Sequence, residues 1–275
     1  MKISACIRVA ADSLQVRDIT TSRLDAELLL AHVLGRDRTW LVAHGDNEVS
    51  VAEQQAFEAL VVRRMQREPV AYLTGHKEFY GRELTVTPDV LIPRPESETI
   101  IDIVKERVPS PASTTRLLDV GTGSGCLGLT CKLEIPELSV TVSDISPQAL
   151  NVARQNAKQL GTKPIRYITS DLLEHWLSHG KPKAFDIIIA NLPYVDRVWE
   201  TSPELGHEPE LALYAEEQGL KLIKTLLSQA PTIIQPDGYL LLEADPCQHE
   251  EIIEHAKQYG FTAVETRDYV VVLRR

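Results

Sequence analysis

The chain has 275 residues, 43% of them hydrophobic and 25% charged, which suits a packed globular core and argues against disorder. A formal net charge of −10 excludes broad electrostatic gripping of nucleic acid, which needs clustered lysine and arginine, and leaves room only for a local basic patch. At this length one principal domain with a smaller attachment is expected.

Residues 1–15, MKISACIRVAADSLQ, scatter polar side chains where a signal peptide would have an unbroken apolar stretch, and nowhere do about 18 apolar residues run together. A soluble, cytoplasmic protein without membrane contact is expected. Residues 23–34, RLDAELLLAHVL, recur at helical spacing behind Thr21 and Ser22, with Gly35 closing the helix, and residues 50–67 repeat the pattern. Residues 1–68 therefore read as a helical domain, ended at Glu68-Pro69 because a residue before proline is pushed out of the helical region. In residues 69–92 a Tyr-Gly turn separates short pieces rich in aromatic and β-branched residues, the pattern of a hairpin linker.

A third segment, residues 93–275, opens with a helix at about 97–107 and a Pro/Ser/Thr loop at 109–115. Strands are then expected at 116–120, 138–144, 165–171, 184–191 and 238–244. Helices alternate with them, one of them long, at about 210–230. Continuous apolar strands alternating with helices predict an α/β fold, a mostly parallel sheet covered on both faces. The last two runs, 261–268 and 269–275, are too close for a crossover helix and should form an antiparallel hairpin.

Cys6, Cys126, Cys131 and Cys247 have neither CxxC nor zinc spacing and read as free thiols. His175 and His179 stand four apart in a helical stretch, but no acidic base lies between them as in HExxH, so they read as an exposed helix face and no metal is expected.

The chemistry concentrates at strand ends. LLDVGTGSG, residues 117–125, sets Gly121, Gly123 and Gly125 after a strand and before a helix, where the backbone can turn sharply and approach a ligand. The spacing departs from GxGxxG, and Asp119 before the loop suits a ligand carrying positive charge. Asp144, ending the next strand, can accept both ribose hydroxyls. A nucleoside with a cationic amino-acid tail, S-adenosylmethionine, fits this set, with NAD as the competitor. Asp171 and Leu172 would flank the adenine. In Asn191-Leu192-Pro193-Tyr194 the Asn191 amide oxygen and the Leu192 carbonyl can hold a planar NH2 in line for methyl transfer. Pro193 fixes the turn and Tyr194 stacks on the substrate. Adenine N6 and a glutamine side-chain amide both satisfy such a clamp.

The stretch EPVAYLTGHKEFYGRELTVTPDVLIPRPESE at 68–98, together with LLDVGTGSG, NLPYVD and HEPELAL at 207–213, resembles the HemK/PrmC family of release-factor glutamine methyltransferases. The likeness extends to DAELLLAHVLGRDRTWL in the helical part. It implies a class I S-adenosylmethionine-dependent methyltransferase domain, Rossmann-like with a seven-stranded sheet, behind a helical domain that docks the substrate. The implied activity is N5 methylation of the glutamine in the Gly-Gly-Gln loop of class I peptide chain release factors. A monomer is expected, and the acidic charge predicts no stable nucleic-acid binding. By analogy Gly121, Thr122, Gly123, Ser124, Gly125, Asp144, Leu172 and Asn191 would contact the cofactor, and Asn191 to Tyr194 the glutamine. Arg94, Pro95 and Glu96 match the segment lining the methyl-donor pocket. Leu192 replaces the family's usual proline, a form shared with rRNA adenine dimethylases. Glutamine methylation of a ribosomal protein and adenine N6 methylation of RNA or DNA are thus the alternatives.

Overall fold

The computed structural model describes residues 1–108, 115–180 and 184–275; the loop expected at 109–115 lies, but for its last residue, outside them. The chain divides into two units, Met1–His76 with Ser202–His207, and Lys77–Thr201 with Glu208–Arg275.

The first unit is helical. Helix α1 (Ile3–Gln15) was not foreseen, yet it buries Ile3, Cys6, Ala10 and Leu14, an i, i+3, i+7, i+11 stripe that the intervening polar residues obscure. Helix α2 (Ser22–Leu34) contributes Ala26, Leu29 and Leu30 to the same core, and α4 (Val51–Met65), after the short α3 (Arg38–Ala43), adds Phe57 and Val61. Each fully buried Leu or Phe contributes about 1.5–3 kcal/mol. Local signals set the ends. Gly35 caps α2 in the left-handed conformation, and Ser50 with Glu53 forms a reciprocal capping box at α4, whereas Thr21 makes no side-chain cap. Residues 70–74, assigned above to the hairpin linker, are instead helix α5 (Val70–Thr74), which starts behind Pro69 and stops at the left-handed Gly75. Far along the chain, Pro203–His207 belongs to this unit; there Glu204 accepts from Arg64, whose buried guanidinium also binds Asp25 at 2.8 Å.

A hairpin follows, β1 (His76–Phe79) and β2 (Arg82–Thr85), turned by Tyr80 and Gly81, both with positive φ as its twist requires. After a 3-10 turn (Pro95–Ser97) and α6 (Glu98–Arg107) comes the main sheet. Its strands are β3 (Arg116–Val120), β4 (Ser139–Asp144), β5 (Ile165–Thr169), β6 (Phe185–Ala190), β7 (Ile234–Glu243), β8 (Thr262–Arg267) and β9 (Val270–Arg274). Interleaved are α7 (Cys126–Glu134), α8 (Pro147–Gln159), α9 (Glu174–Ser178), α10 (Glu210–Leu213), α11 (Lys221–Ile233) and α12 (His249–Lys257). The order is β5-β4-β3-β6-β7-β9-β8, parallel through β7, with β9 antiparallel to both neighbours. This is the Rossmann-like, mostly parallel seven-stranded α/β architecture that the sequence predicts.

Alternate residues of the strands enter opposite cores. Leu118, Val120 and Ile188 meet Leu226 and Leu227 of α11 and Ile252 of α12, while Leu117, Val140 and Ile189 meet Ile100 of α6 and Leu150 of α8. The single helix expected at 210–230 is broken. Glu217, Gln218 and Gly219 all have positive φ, separating α10 from α11. Among the described residues, no helix is long and apolar enough to cross a membrane.

Candidate active site

Strand order decides where ligand can bind. β3 has β4 on one side and β6 on the other, so the chain leaves β3 toward a crevice at the carboxyl ends of the parallel strands. A cavity of about 370 Å³ opens there. Of the residues singled out in the sequence for this site, Arg94, Gly121, Thr122, Gly123, Ser124, Asp144, Asp171, Leu172, Asn191, Leu192 and Pro193 line it. Pro95, Glu96, Gly125 and Tyr194 do not.

The glycine loop shows why that separation arises. Gly121 and Gly123 have φ of +70° and +54°, and a Cβ on Gly121 would lie 3.0 Å from the side chain of Leu192. Gly125 faces the other way, where a Cβ would fall 2.8 Å from Leu129 of α7 and 3.1 Å from Ala153 of α8, so it lets the two helices approach and does not form cavity wall. Asp119 also departs from expectation. It is fully buried, and its Oδ2 accepts from the Thr122 hydroxyl and the Gly128 N–H, so it shapes the loop from behind. Burial pushes its carboxyl up to about 6.

Asp144 meets the cavity directly. Its Oδ2 accepts from Gly123 N–H and its Oδ1 from Ser146 N–H, both at 2.9 Å, which leaves each oxygen a further acceptor position. Burial raises its pKa. Leu172 presents an apolar side chain at the end of β5 and is itself held at φ +43°, a strained conformation; the Ser170 hydroxyl donates to its carbonyl at 2.9 Å. Two backbone-held carboxylate oxygens, an apolar contact and a loop that has only hydrogen at the Cα of Gly121 and Gly123 fit a nucleoside.

At β6 the amide nitrogen of Asn191 donates to Ser97 Oγ at 3.1 Å, so the amide oxygen lies on the opposite side of the group. Leu192 buries its side chain in the core, and Tyr194 is partly buried with its hydroxyl 3.4 Å from Glu243 Oε1. Arg94 pairs with Glu208, not with its neighbour Glu96, and the same carboxylate accepts from Ile92 N–H at 3.0 Å. Pro95 and Glu96 form the exposed turn that carries Ser97. Ser97, Glu208 and Glu243, all buried, were missed as site residues. Glu208 falls inside the quoted HEPELAL stretch, but nothing local marks its partner.

Away from this cavity, the rings of His175 and His179 stack 4.6 Å apart, and among the described residues no group of His, Cys, Asp or Glu is arranged to hold a metal. All four cysteines are free thiols.

Two family models match the chain, the PrmC N-terminal domain over residues 5–75 and the methyltransferase small domain over residues 97–208. A release factor glutamine methyltransferase of Salmonella typhimurium is 37% identical over 261 residues, covering 93% of this chain and 91% of that one. The release factor glutamine methyltransferase of Escherichia coli is 35% identical over 275 residues, covering 98% and 95%. Among solved structures, the T. thermophilus 16S rRNA N2 G1207 methyltransferase in complex with AdoMet and guanosine is similar at TM-score 0.53 and 18% identity. It covers 73% of this chain and 49% of that one, a likeness of fold. With relatives this similar along nearly its whole length, the chain belongs to the release factor glutamine methyltransferase family.

Proposed function

We propose that the protein transfers a methyl group from S-adenosylmethionine to the side-chain nitrogen N5 of the glutamine in the Gly-Gly-Gln loop of class I peptide chain release factors. The observation that carries the reading is Asn191, which stands on the wall of the glycine-lined cavity with its amide nitrogen tied back to Ser97. The family relatives, named for this activity, support the substrate.

S-adenosylmethionine supplies a methyl carbon bonded to a positively charged sulfur. Residues 121–124 would lie against it, Asp144 would accept the ribose hydroxyls and Leu172 would cover the adenine, while Gly125 turns the chain into α7 behind them. Arg94, held by Glu208, borders the same space, and Pro95 and Glu96 would act through the turn that carries Ser97. An amide nitrogen is a poor nucleophile because its lone pair is delocalised. The Asn191 oxygen and the Leu192 carbonyl would accept its two N–H bonds, turn the lone pair toward the carbon and disperse the positive charge that builds on nitrogen. Such orientation supplies about 7–11 kcal/mol in well-aligned cases. After transfer the nitrogen sheds one of its own protons to water, so no acid–base side chain is needed. Tyr194 is proposed to close over the flat amide, with Pro193 fixing the turn that presents it.

The helical unit, residues 1–76 with α5 included, would dock the release factor, 77–92 link, and 93–275 carry the chemistry. The charge of −10 favours a protein over a nucleic acid as partner, and the expected compartment is the cytoplasm, where translation terminates; a monomer is proposed as the working form. The test is incubation with labelled S-adenosylmethionine and a release factor. Label should enter the wild-type factor and be absent from one whose Gly-Gly-Gln is changed to Gly-Gly-Ala; equal labelling of both would overturn the assignment.

A further inference from the structure

We propose that Glu243 is a positioning residue for methyl transfer, fixing the side-chain amide of Asn191 through its nitrogen and through Ser97 so that the oxygen faces the substrate. The inference rests on the functional reading above and deepens it.

The sheet brings the two residues together. Ala190 is paired with Leu242 in the parallel ladder of β6 and β7, so Asn191, just past the end of β6, stands beside Glu243, the last residue of β7. Glu243 is only 1% exposed, and among the described residues no lysine or arginine pairs with it. Its Oε1 receives the Tyr194 hydroxyl at 3.4 Å. Its Oε2 is buried with no partner at hydrogen-bond distance, although the side chains of Ser97 and Asn191 lie beside the carboxyl. A buried carboxyl so poorly compensated is costly, and an apolar side chain would fill the space at less expense.

What the carboxyl can do follows from the protons around it. Ser97, 2% exposed, uses its oxygen to accept from Asn191 Nδ2, so its own hydroxyl proton is available to Glu243. The second hydrogen on Nδ2 faces the same negative region. Turning the amide over would set its oxygen against the serine oxygen and the carboxylate, acceptor against acceptor. The charge therefore selects one of the two amide orientations, and by drawing on the N–H bonds it makes the outward oxygen a stronger acceptor. Burial pushes the Glu243 carboxyl up to about 7, the polar hydrogens of Ser97, Tyr194 and Asn191 beside it oppose the shift, and the charge of Glu96 adds to it. The ionisable groups facing it are Tyr194, Glu96 and Cys126, none of them cationic.

The test uses the full-length enzyme with S-adenosylhomocysteine and isotope-labelled asparagine, the Asn191 side-chain amide being assigned by its loss in Asn191→Ala. Its NH2 signals should move as the pH is taken from about 5.5 to about 8.5 across the Glu243 titration, and stay fixed in Glu243→Gln. In steady state Glu243→Gln should lower kcat about 10- to 100-fold, while calorimetric affinity for S-adenosylhomocysteine changes less than about twofold. Ser97→Ala should lower kcat as well, and the double variant should be little worse than either single one because both act through Asn191. A wild-type amide signal that ignores pH, or a Glu243→Gln enzyme with unchanged kcat, overturns the proposal. If the wild-type enzyme methylates no Gly-Gly-Gln substrate, the functional reading falls, and the amide titration still decides whether Glu243 holds Asn191.

Discussion

Gly219 has φ +83°, and a Cβ built on it would lie 1.9 Å from the carbonyl oxygen of Tyr194 and 2.7 Å from Gln248 Nε2. Neither neighbour can yield, because Gln248, itself buried, donates from that nitrogen to Tyr194 O at 2.9 Å and to Gln218 O at 2.8 Å. The end of the Asn191-to-Tyr194 segment is thus clamped by two residues from other parts of the chain. Gly219→Ala should cost about 2–3 kcal/mol in urea unfolding and should impair transfer by displacing Tyr194; an unchanged midpoint would mean that the clamp is dispensable. Asn191→Ala tests the other end of the segment. Loss of one preorganised acceptor should lower the rate about 10²–10³-fold, some 2.7–4 kcal/mol, with S-adenosylhomocysteine affinity and melting temperature retained. A Glu at 243 would then have lost the group it holds, so adding Glu243→Gln to Asn191→Ala should change the rate no further.

Among the elements, α8 carries a tie that no periodicity announces. Asn156, fully buried, accepts from Thr85 N–H at 2.8 Å and donates to Thr85 O at 3.0 Å and to Ser124 O at 2.9 Å. One side chain therefore joins β2 to the last turn of the glycine loop. Asn156→Ala strands three polar backbone groups, each worth about 1–3 kcal/mol if left unpaired. It should lower stability and weaken S-adenosylhomocysteine binding by loosening Ser124, which calorimetry would report; unaltered affinity would show that the loop holds itself. The strands, the glycine turn and the polar strand ends were legible in the sequence because period, glycine and terminal acids are local signals. Contacts such as Asn156 to Thr85 or Asn191 to Ser97 were not, since only the folded topology brings them together. The broken helix at 210–230 failed for the opposite reason. Its apolar spacing runs on through Glu217 and Gln218, and nothing in those two residue types announces a left-handed backbone.

Over the whole molecule, the buried acids set the dependence of stability on pH. Asp119, Asp144 and Glu243 all have raised pKa values, chiefly from burial, with Asp119 at about 6 and Glu243 at about 7. The folded state therefore binds their protons more tightly than the unfolded chain, where such groups titrate near 4. Their contribution is fully present below about pH 4 and is lost as pH rises through 6 and 7. Glu134 works in the opposite sense. Hydrogen bonds from Lys105 and then Arg82 lower its pKa, so its contribution exists above pH 4 and vanishes in acid. Together they put maximal stability on the acidic side of neutrality, in keeping with a chain whose net charge of −10 is relieved as protons bind. The melting temperature should fall by about 5 °C between roughly pH 5.5 and pH 8. Glu243→Gln, which removes the largest raised group in that window, should flatten the decline and melt higher than wild type at pH 8 while matching it in acid. Parallel profiles for the two proteins would show that Glu243 is not charged against its surroundings in the folded state, and that the amide beside it is held by packing alone.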